Sequence, residues 1–341
     1  MIEITQFHFI FDLVFSSYQQ KGFMMKKTVL ILGATGRFGR NAQISFSWAG
    51  WDVRCFDRAT DNLEDAAWGV DLIVNAWNPA YTDWATDIPR YTQQVINVAK
   101  DTGAAVLIPG NIYVYGEAMP QELSENTPHL ATNPLGKIRV EMEQAYKESG
   151  VKTIILRAGD YIDTEASGNW FDKIITAKAE RGVTSYPGAP DIPHAWAFLP
   201  DVTDMAAVLA DNLDELDTWT DVFAPSLTLT GQELAHAISE VSGRSQTLKP
   251  MAWFPIQVAS LVWPLGRSLL EMRFLWDKPH EVCSVRAQTL VPDFIPTSLE
   301  DTLAASLPEQ INPHGLVRRP RPKVPGLLSA FNCRCVHSQP S

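Results

Sequence analysis

The sequence predicts an α/β fold, a doubly wound parallel sheet with a smaller C-terminal lobe. Three observations predict it. Short aliphatic and β-branched runs recur with helical text between them, the pattern of a parallel sheet buried on both faces. A glycine-rich turn, Gly33-Ala34-Thr35-Gly36-Arg37-Phe38-Gly39, sits directly between the first run and the first helix. Beyond about Asp160 the alternation loosens, with Pro187, Pro190 and Pro193 crowding one loop before helical text returns.

In chain order, residues 28–32 form an unbroken apolar run and predict the first strand, with helix following the glycine turn through Ala49. Residues 53–56, 71–75, 105–108 and 153–156 predict further strands. Residues 90–102 carry Val95, Ile96, Val98 and Ala99 at helical spacing. Residues 137–149 predict a helix stopped by Gly150. Later helices are expected over 204–213, with Asp204 as its N-cap, over 231–242, and over 255–273. The last is too short to span a bilayer, so the sequence predicts no membrane contact.

The chain has 341 residues, 45% hydrophobic and 20% charged, which excludes a disordered or collagen-like protein. With 28 Lys and Arg against 39 Asp and Glu, the formal net charge is −11, and nucleic acid is excluded as the main partner because phosphate binding needs a basic face. The four cysteines Cys55, Cys283, Cys333 and Cys335 are too few for a disulfide scaffold, and no His/Cys pair completes a metal-ligand pattern around the last two. Free thiols in a reducing, cytoplasmic compartment are the expectation.

The two ends differ from the middle. Residues 1–24 hold a short apolar run without the basic start or cleavage site of a signal peptide, and Met24 or Met25 reads as a natural start, the rest being an extension. The domains expected are a nucleotide-binding unit over 25–160, completed by later strands, a substrate lobe over 161–310, and a disordered basic tail over 311–341, where Arg318, Arg319, Arg321, Lys323 and Arg334 accumulate among prolines.

The glycine turn carries the chemistry. One glycine allows the tight turn, the next lets backbone N–H groups approach a pyrophosphate, and the last lets the helix pack closely. The helix N-terminus adds its partial positive charge. Gly33, Thr35, Gly36, Arg37, Phe38 and Gly39 are therefore the expected cofactor loop of a Rossmann-like domain. Asp57, at the end of the second strand, is placed to hydrogen-bond both ribose hydroxyls, which favours NAD over NADP. The neighbouring Arg58, and Arg37 in the loop, are placed to pair with a 2′-phosphate and keep NADP open.

The spacing Gly-x-x-Gly-x-x-Gly after a strand resembles the short-chain dehydrogenase/reductase superfamily, in its extended or atypical branch with the nucleotide-sugar epimerases and dehydratases. The resemblance covers about residues 25 to 310. Asn75-Ala76-Trp77, Ile112-Tyr113-Val114-Tyr115-Gly116 and Leu156-Arg157-Ala158 match further family segments. It implies that Ala76 runs past the cofactor ribose, that the substrate is a sugar or small carbonyl or hydroxy compound, and that the protein can pair as a homodimer.

The same resemblance exposes a departure. The family's Tyr-x-x-x-Lys pair is missing, because none of the eight tyrosines has a lysine four residues on. In the family's register Leu135 replaces the tyrosine, Arg139 the lysine, and Asn111 the serine or threonine of the preceding loop. Leucine carries no proton, so the standard relay is absent. Asn111, Tyr113 and Arg139 become the expected catalytic set, Arg139 also holding ribose or diphosphate, with Tyr161, Lys137 and Asp160 as further acid/base candidates and His194 expected toward the cleft. The alternative is a catalytically silent NAD(P)-binding sensor or structural subunit.

Overall fold

The computed structural model describes residues 26–308 and 311. The expected extension over 1–24 and, apart from Ile311, the expected tail over 311–341 lie outside those residues.

Six strands form the central sheet: β1 (Thr28–Leu32), β2 (Asp52–Phe56), β3 (Leu72–Asn75), β4 (Ala105–Gly110), β5 (Thr153–Arg157) and β6 (Trp219–Phe223). Their spatial order is β6-β5-β4-β3-β1-β2, and every pairing is parallel. All five residues of β1 are buried, and each fully buried aliphatic side chain contributes about 1.5–3 kcal/mol. Successive side chains alternate between faces. Leu30 and Leu32 join one core with α2 (Trp84–Thr102) and α3 (Pro134–Ser149); Val29 and Ile31 join the other with α1 (Arg37–Trp48) and α4 (Leu199–Asp211). Gly150 ends α3 as expected, at φ 74°, and Gly103 ends α2 in the same left-handed conformation at φ 78°.

Only the one-turn helix Leu63–Ala66 lies between β2 and β3, and β2 forms one edge of the sheet. The order reverses between β1 and β3, and a crevice opens there at the carboxyl ends of the strands, where doubly wound sheets bind ligands.

A smaller lobe packs over that end. It contains a three-stranded sheet of Leu227–Leu229, His194–Phe198 and Asp160–Ile162, a two-stranded sheet of Thr247–Pro250 and Val183–Tyr186, and the helix Gly231–Ser242 with a capping box between Thr230 and Glu233. Trp196, Trp253 and Trp276 are buried in its core, and Ile311 packs there too. Among the described residues no helix is long and apolar enough to cross a membrane.

Two expectations are corrected. Asp204 is not an N-cap: α4 begins at Leu199, and the buried Asp204 carboxylate accepts a hydrogen bond from Ser45 Oγ at 2.6 Å, tying α4 to α1. The stretch 255–273 is two helices, Phe254–Ala259 and Pro264–Glu271. Pro264 has no N–H to continue the first helix and suits the first turn of the second.

Candidate active site

Gly33 sits at φ +78°, and a Cβ there would lie 2.9 Å from the Ala76 carbonyl oxygen. At Gly39 a Cβ would lie 2.2 Å from the Gly33 carbonyl, so α1 packs on the loop at a distance only glycine permits. Gly36, the N-cap of α1, is exposed, and a Cβ there would meet only the Gly33 oxygen at 3.2 Å. No acidic residue stands in the first turn of α1. The free N–H groups and the positive end of the helix dipole therefore face open space, and the cradle fits a diphosphate.

From this cradle a cleft of about 980 Å³ runs along the strand ends. Gly36, Arg37 and Phe38 line one end, followed by Asn75 to Tyr81, and the far wall holds Asn111, Tyr113, Arg139, Asp160 and Tyr161. Asn169, Trp170, Lys173 and Trp263 close it from the smaller lobe. Arg37 Nη2 donates to the Gly168 carbonyl at 3.1 Å, which ties the glycine loop to that lobe. Thr35 is exposed on the loop and Ala76 half-buried on the cleft wall.

A second hollow of about 400 Å³ lies at the end of β2. Arg58, Arg90, Trp77 and Tyr91 line it. The Arg58 guanidinium stands 5.5 Å from the Trp77 ring and 5.4 Å from the Tyr91 ring. Asp57 is not on that wall. Its carboxylate accepts the Ala59 N–H at 2.9 Å, and its own N–H donates to Asp61.

The catalytic candidates separate into those the fold brings together and those it does not. The Tyr113 hydroxyl is 2.8 Å from the Tyr81 hydroxyl. Burial pushes both phenols above their usual range; the Asp160 charge adds to this and the Arg139 charge opposes it. Asn111 Oδ1 accepts the Tyr113 N–H at 3.0 Å, and the Asn111 carbonyl accepts Arg157 Nη1 at 2.6 Å, so this loop is pinned on both sides. Arg139 is buried with its guanidinium 4.0 Å from the Trp84 ring. Its Nη2 donates to Asn78 Oδ1 at 2.7 Å, and burial lowers its pKa. Leu135 is buried at the start of α3, where its N–H donates to Glu271.

Lys137 is corrected: it is exposed on α3 and does not reach the cleft, because it lies two residues from Arg139 and so points away. His194 is corrected too. It is buried behind Asp160, with Nε2 2.8 Å from Asp160 Oδ2 and its ring stacked 4.1 Å from Trp276. Asp160 itself faces the cleft. Sequence reading missed Tyr81, Asn78 and Trp84. They reach the site from the loop after β3 and the start of α2, and no motif marks them.

A group of His129, Glu143 and Asp221 comes close enough for a shared ligand, but Arg157 lies among them. Fully buried, it donates to both Glu143 oxygens at 3.0 Å and to Asp221 Oδ2 at 2.6 Å. The cluster is an internal ion pair joining α3, β5 and β6.

The strand order, the glycine cradle and the lobe over the strand ends define a doubly wound α/β protein with a cleft at the carboxyl ends of its strands. No family model and no curated protein matches the chain. Solved structures do share its fold. MoeE5 in complex with UDP-glucose and NAD superposes with a TM-score of 0.64 at 14% identity, over 82% of this chain and 97% of its own. The UDP-glucuronic acid 4-epimerase of Bacillus cereus in complex with NAD gives 0.62 at 16% identity, over 82% and 95%. The L-threonine dehydrogenase of Phytophthora infestans gives 0.62 at 17%, over 83% and 98%. The fold is thus the one expected from the resemblance to the extended short-chain dehydrogenases/reductases.

Proposed function

We propose that this chain binds NAD(P), with NAD ahead of NADP, and uses it as an oxidoreductase or epimerase-like enzyme on a sugar or small carbonyl or hydroxy substrate. One observation carries the reading: a single cleft joins the glycine cradle to the Tyr113–Tyr81 hydroxyl pair and Arg139. Three solved structures of this fold, UDP-sugar proteins among them, are complexes with NAD, which supports the cofactor. When bound, the nicotinamide supplies or accepts a hydride. The diphosphate would rest on Gly33, Thr35, Gly36, Arg37, Phe38 and Gly39, with Ala76 beside the ribose and Asp57 or Arg58 at the adenosine end.

The chain's own residues handle the proton. In the reductive direction the Tyr113 phenol gives its proton to the substrate oxygen, Tyr81 hands its own proton to Tyr113 through their hydrogen bond, and the partly exposed Tyr81 regains one from water; in the oxidative direction each of these transfers runs in reverse. Arg139 stabilises negative charge that develops at these oxygens, working as a fixed cation rather than a base. Asn111 sets the Tyr113 backbone. This relay takes the place of the absent tyrosine–lysine pair.

The same burial that raises both phenols supports a second reading, an NAD(P)-binding sensor or structural subunit without turnover. Titration with NADH and NADPH, followed by tryptophan quenching, tests the cofactor. Hydride transfer is then screened on hydroxy and carbonyl compounds. Binding with turnover abolished by Tyr113→Phe upholds the enzyme; binding with slow exchange and no turnover upholds the sensor; failure of both cofactors to bind overturns both.

A further inference from the structure

Four charged side chains line the large cleft: Arg37, Arg139, Lys173 and Asp160. Three cations against one carboxylate reverse the balance of a chain whose formal net charge is −11. Asp160 is already engaged by His194, and Arg37 reaches across to Gly168 beside the glycine cradle. Arg139 is different. Its side chain is buried, 7% exposed, and no carboxylate among the described residues lies within ion-pair distance of it. The carboxylate that acts on it most strongly is Glu143, one helical turn along α3, and Arg157 holds both oxygens of that group.

A charge kept out of water without a partner is costly, and a site retains one when a ligand brings the opposite charge. The guanidinium is also held in place for such a ligand. Trp84 supports one face at 4.0 Å, Asn78 fixes one edge at 2.7 Å, and Nε has no partner among the described residues. The hydroxyls of Tyr81 and Tyr113 and the side chain of Asn111 line the same cleft and offer neutral contacts.

We infer that the cleft takes a substrate with a single carboxylate close to its reacting hydroxyl or carbonyl carbon, and that Arg139 binds that carboxylate. The inference rests on the proposed reading of this cleft as the substrate site. A planar fork with one positive charge matches one carboxylate in shape and in charge. With Arg37 beside the glycine cradle given to the cofactor diphosphate, Arg139 and Lys173 against Asp160 leave one net positive charge for the substrate, which a carboxylate balances and a phosphate dianion exceeds. The substrate class is therefore hydroxy and oxo acids, sugar acids included.

The test uses the full chain and three probe pairs, each an acid with a neutral counterpart: D-glucuronate and D-glucose, D-glycerate and glycerol, 3-hydroxybutyrate and 2-butanol. Wild type, Arg139→Met and Arg139→Lys are first titrated with NADH, then the NADH-loaded proteins with each probe, following NADH fluorescence and thermal shift. At least one acid is expected to bind about tenfold or more tightly than its counterpart. Arg139→Met removes that preference, Arg139→Lys keeps part of it, and NADH affinity changes by less than about twofold in both. Loss of NADH affinity in Arg139→Met with the acid preference intact overturns the inference and assigns Arg139 to the cofactor. Equal binding of acid and neutral probes by wild type also overturns it while leaving the cofactor reading in place. Failure of wild type to bind NADH strikes the cofactor reading alone, because thermal shifts of the unloaded protein still report the acid preference.

Discussion

Replacing Arg157 with methionine removes the only cation from a fully buried ion cluster while keeping most of the side-chain volume. Arg157 is 0% exposed, and the Glu143 and Asp221 side chains are 3% and 9% exposed. Removing one partner of a buried pair costs about 3–5 kcal/mol, because the remaining charge is left without compensation. Two carboxylates are left here, so the upper half of that range is expected. At about 2.1 cal/mol/K of unfolding entropy per residue, each kcal/mol moves Tm of a chain this long by roughly 1.5 °C, giving a fall of roughly 6–8 °C. Urea unfolding followed by tryptophan fluorescence and far-UV circular dichroism measures it. The variant Arg157→Met, Glu143→Met, Asp221→Leu removes all the charges and is expected to recover at least half of the loss, since well-packed apolar replacements of buried ions are often neutral or better. A loss below about 1 kcal/mol for Arg157→Met, the size of a surface pair, would refute the reasoning. Arg157 also holds the Asn111 carbonyl, so turnover should fall more than stability alone explains, while NADH affinity holds.

Four further outcomes are expected. Gly39→Val forces a side chain against the Gly33 carbonyl, costs about 1–3 kcal/mol of stability, and weakens NADH binding in a fluorescence titration, because α1 moves off the loop. Tyr113→Phe lowers kcat by about 10²-fold or more on the substrate found by screening. Because burial raises the Tyr113 phenol, wild-type activity that needs its proton is expected to stay level through pH 9 rather than decline there. His280 is held neutral, its pKa pushed down to about 3 by burial and by the neighbouring His194. Its unfolded value is higher, so the unfolded chain binds the extra proton between about pH 6.5 and pH 3. Stability therefore falls as pH drops through that window, by up to a few kcal/mol (~), and denaturation midpoints of His280→Phe should show a shallower acid slope.

The local chain determined much of this protein. Val29 to Leu32 are apolar without interruption, and only a strand covered on both faces accommodates that, so β1 was legible along with the parallel sheet. The glycine turn was legible because its three glycines answer local steric demands, and the structure shows two of them as contacts with Gly33 and Ala76. The absence of a tyrosine–lysine pair was likewise a matter of spacing within one helix.

Tertiary structure decided the rest. Asp204 looked like a helix cap because Asp favours that position, but Ser45, 159 residues away in sequence, is its partner across two packed helices. His194 read as a loop histidine and lies buried behind Asp160, since its strand pairs with Asp160–Ile162 inside the lobe. Tyr81, Asn78 and Trp84 join Tyr113 and Arg139 from separate loops and helices. No spacing rule links them, because distance along the chain carries no information about which loops converge at the ends of a parallel sheet. The uncompensated charge of Arg139 is the furthest from the sequence. In the sequence Arg139 marks only the place of the family's lysine; the fold alone removes the water around it and leaves Glu143 and Asp160 engaged by Arg157 and His194.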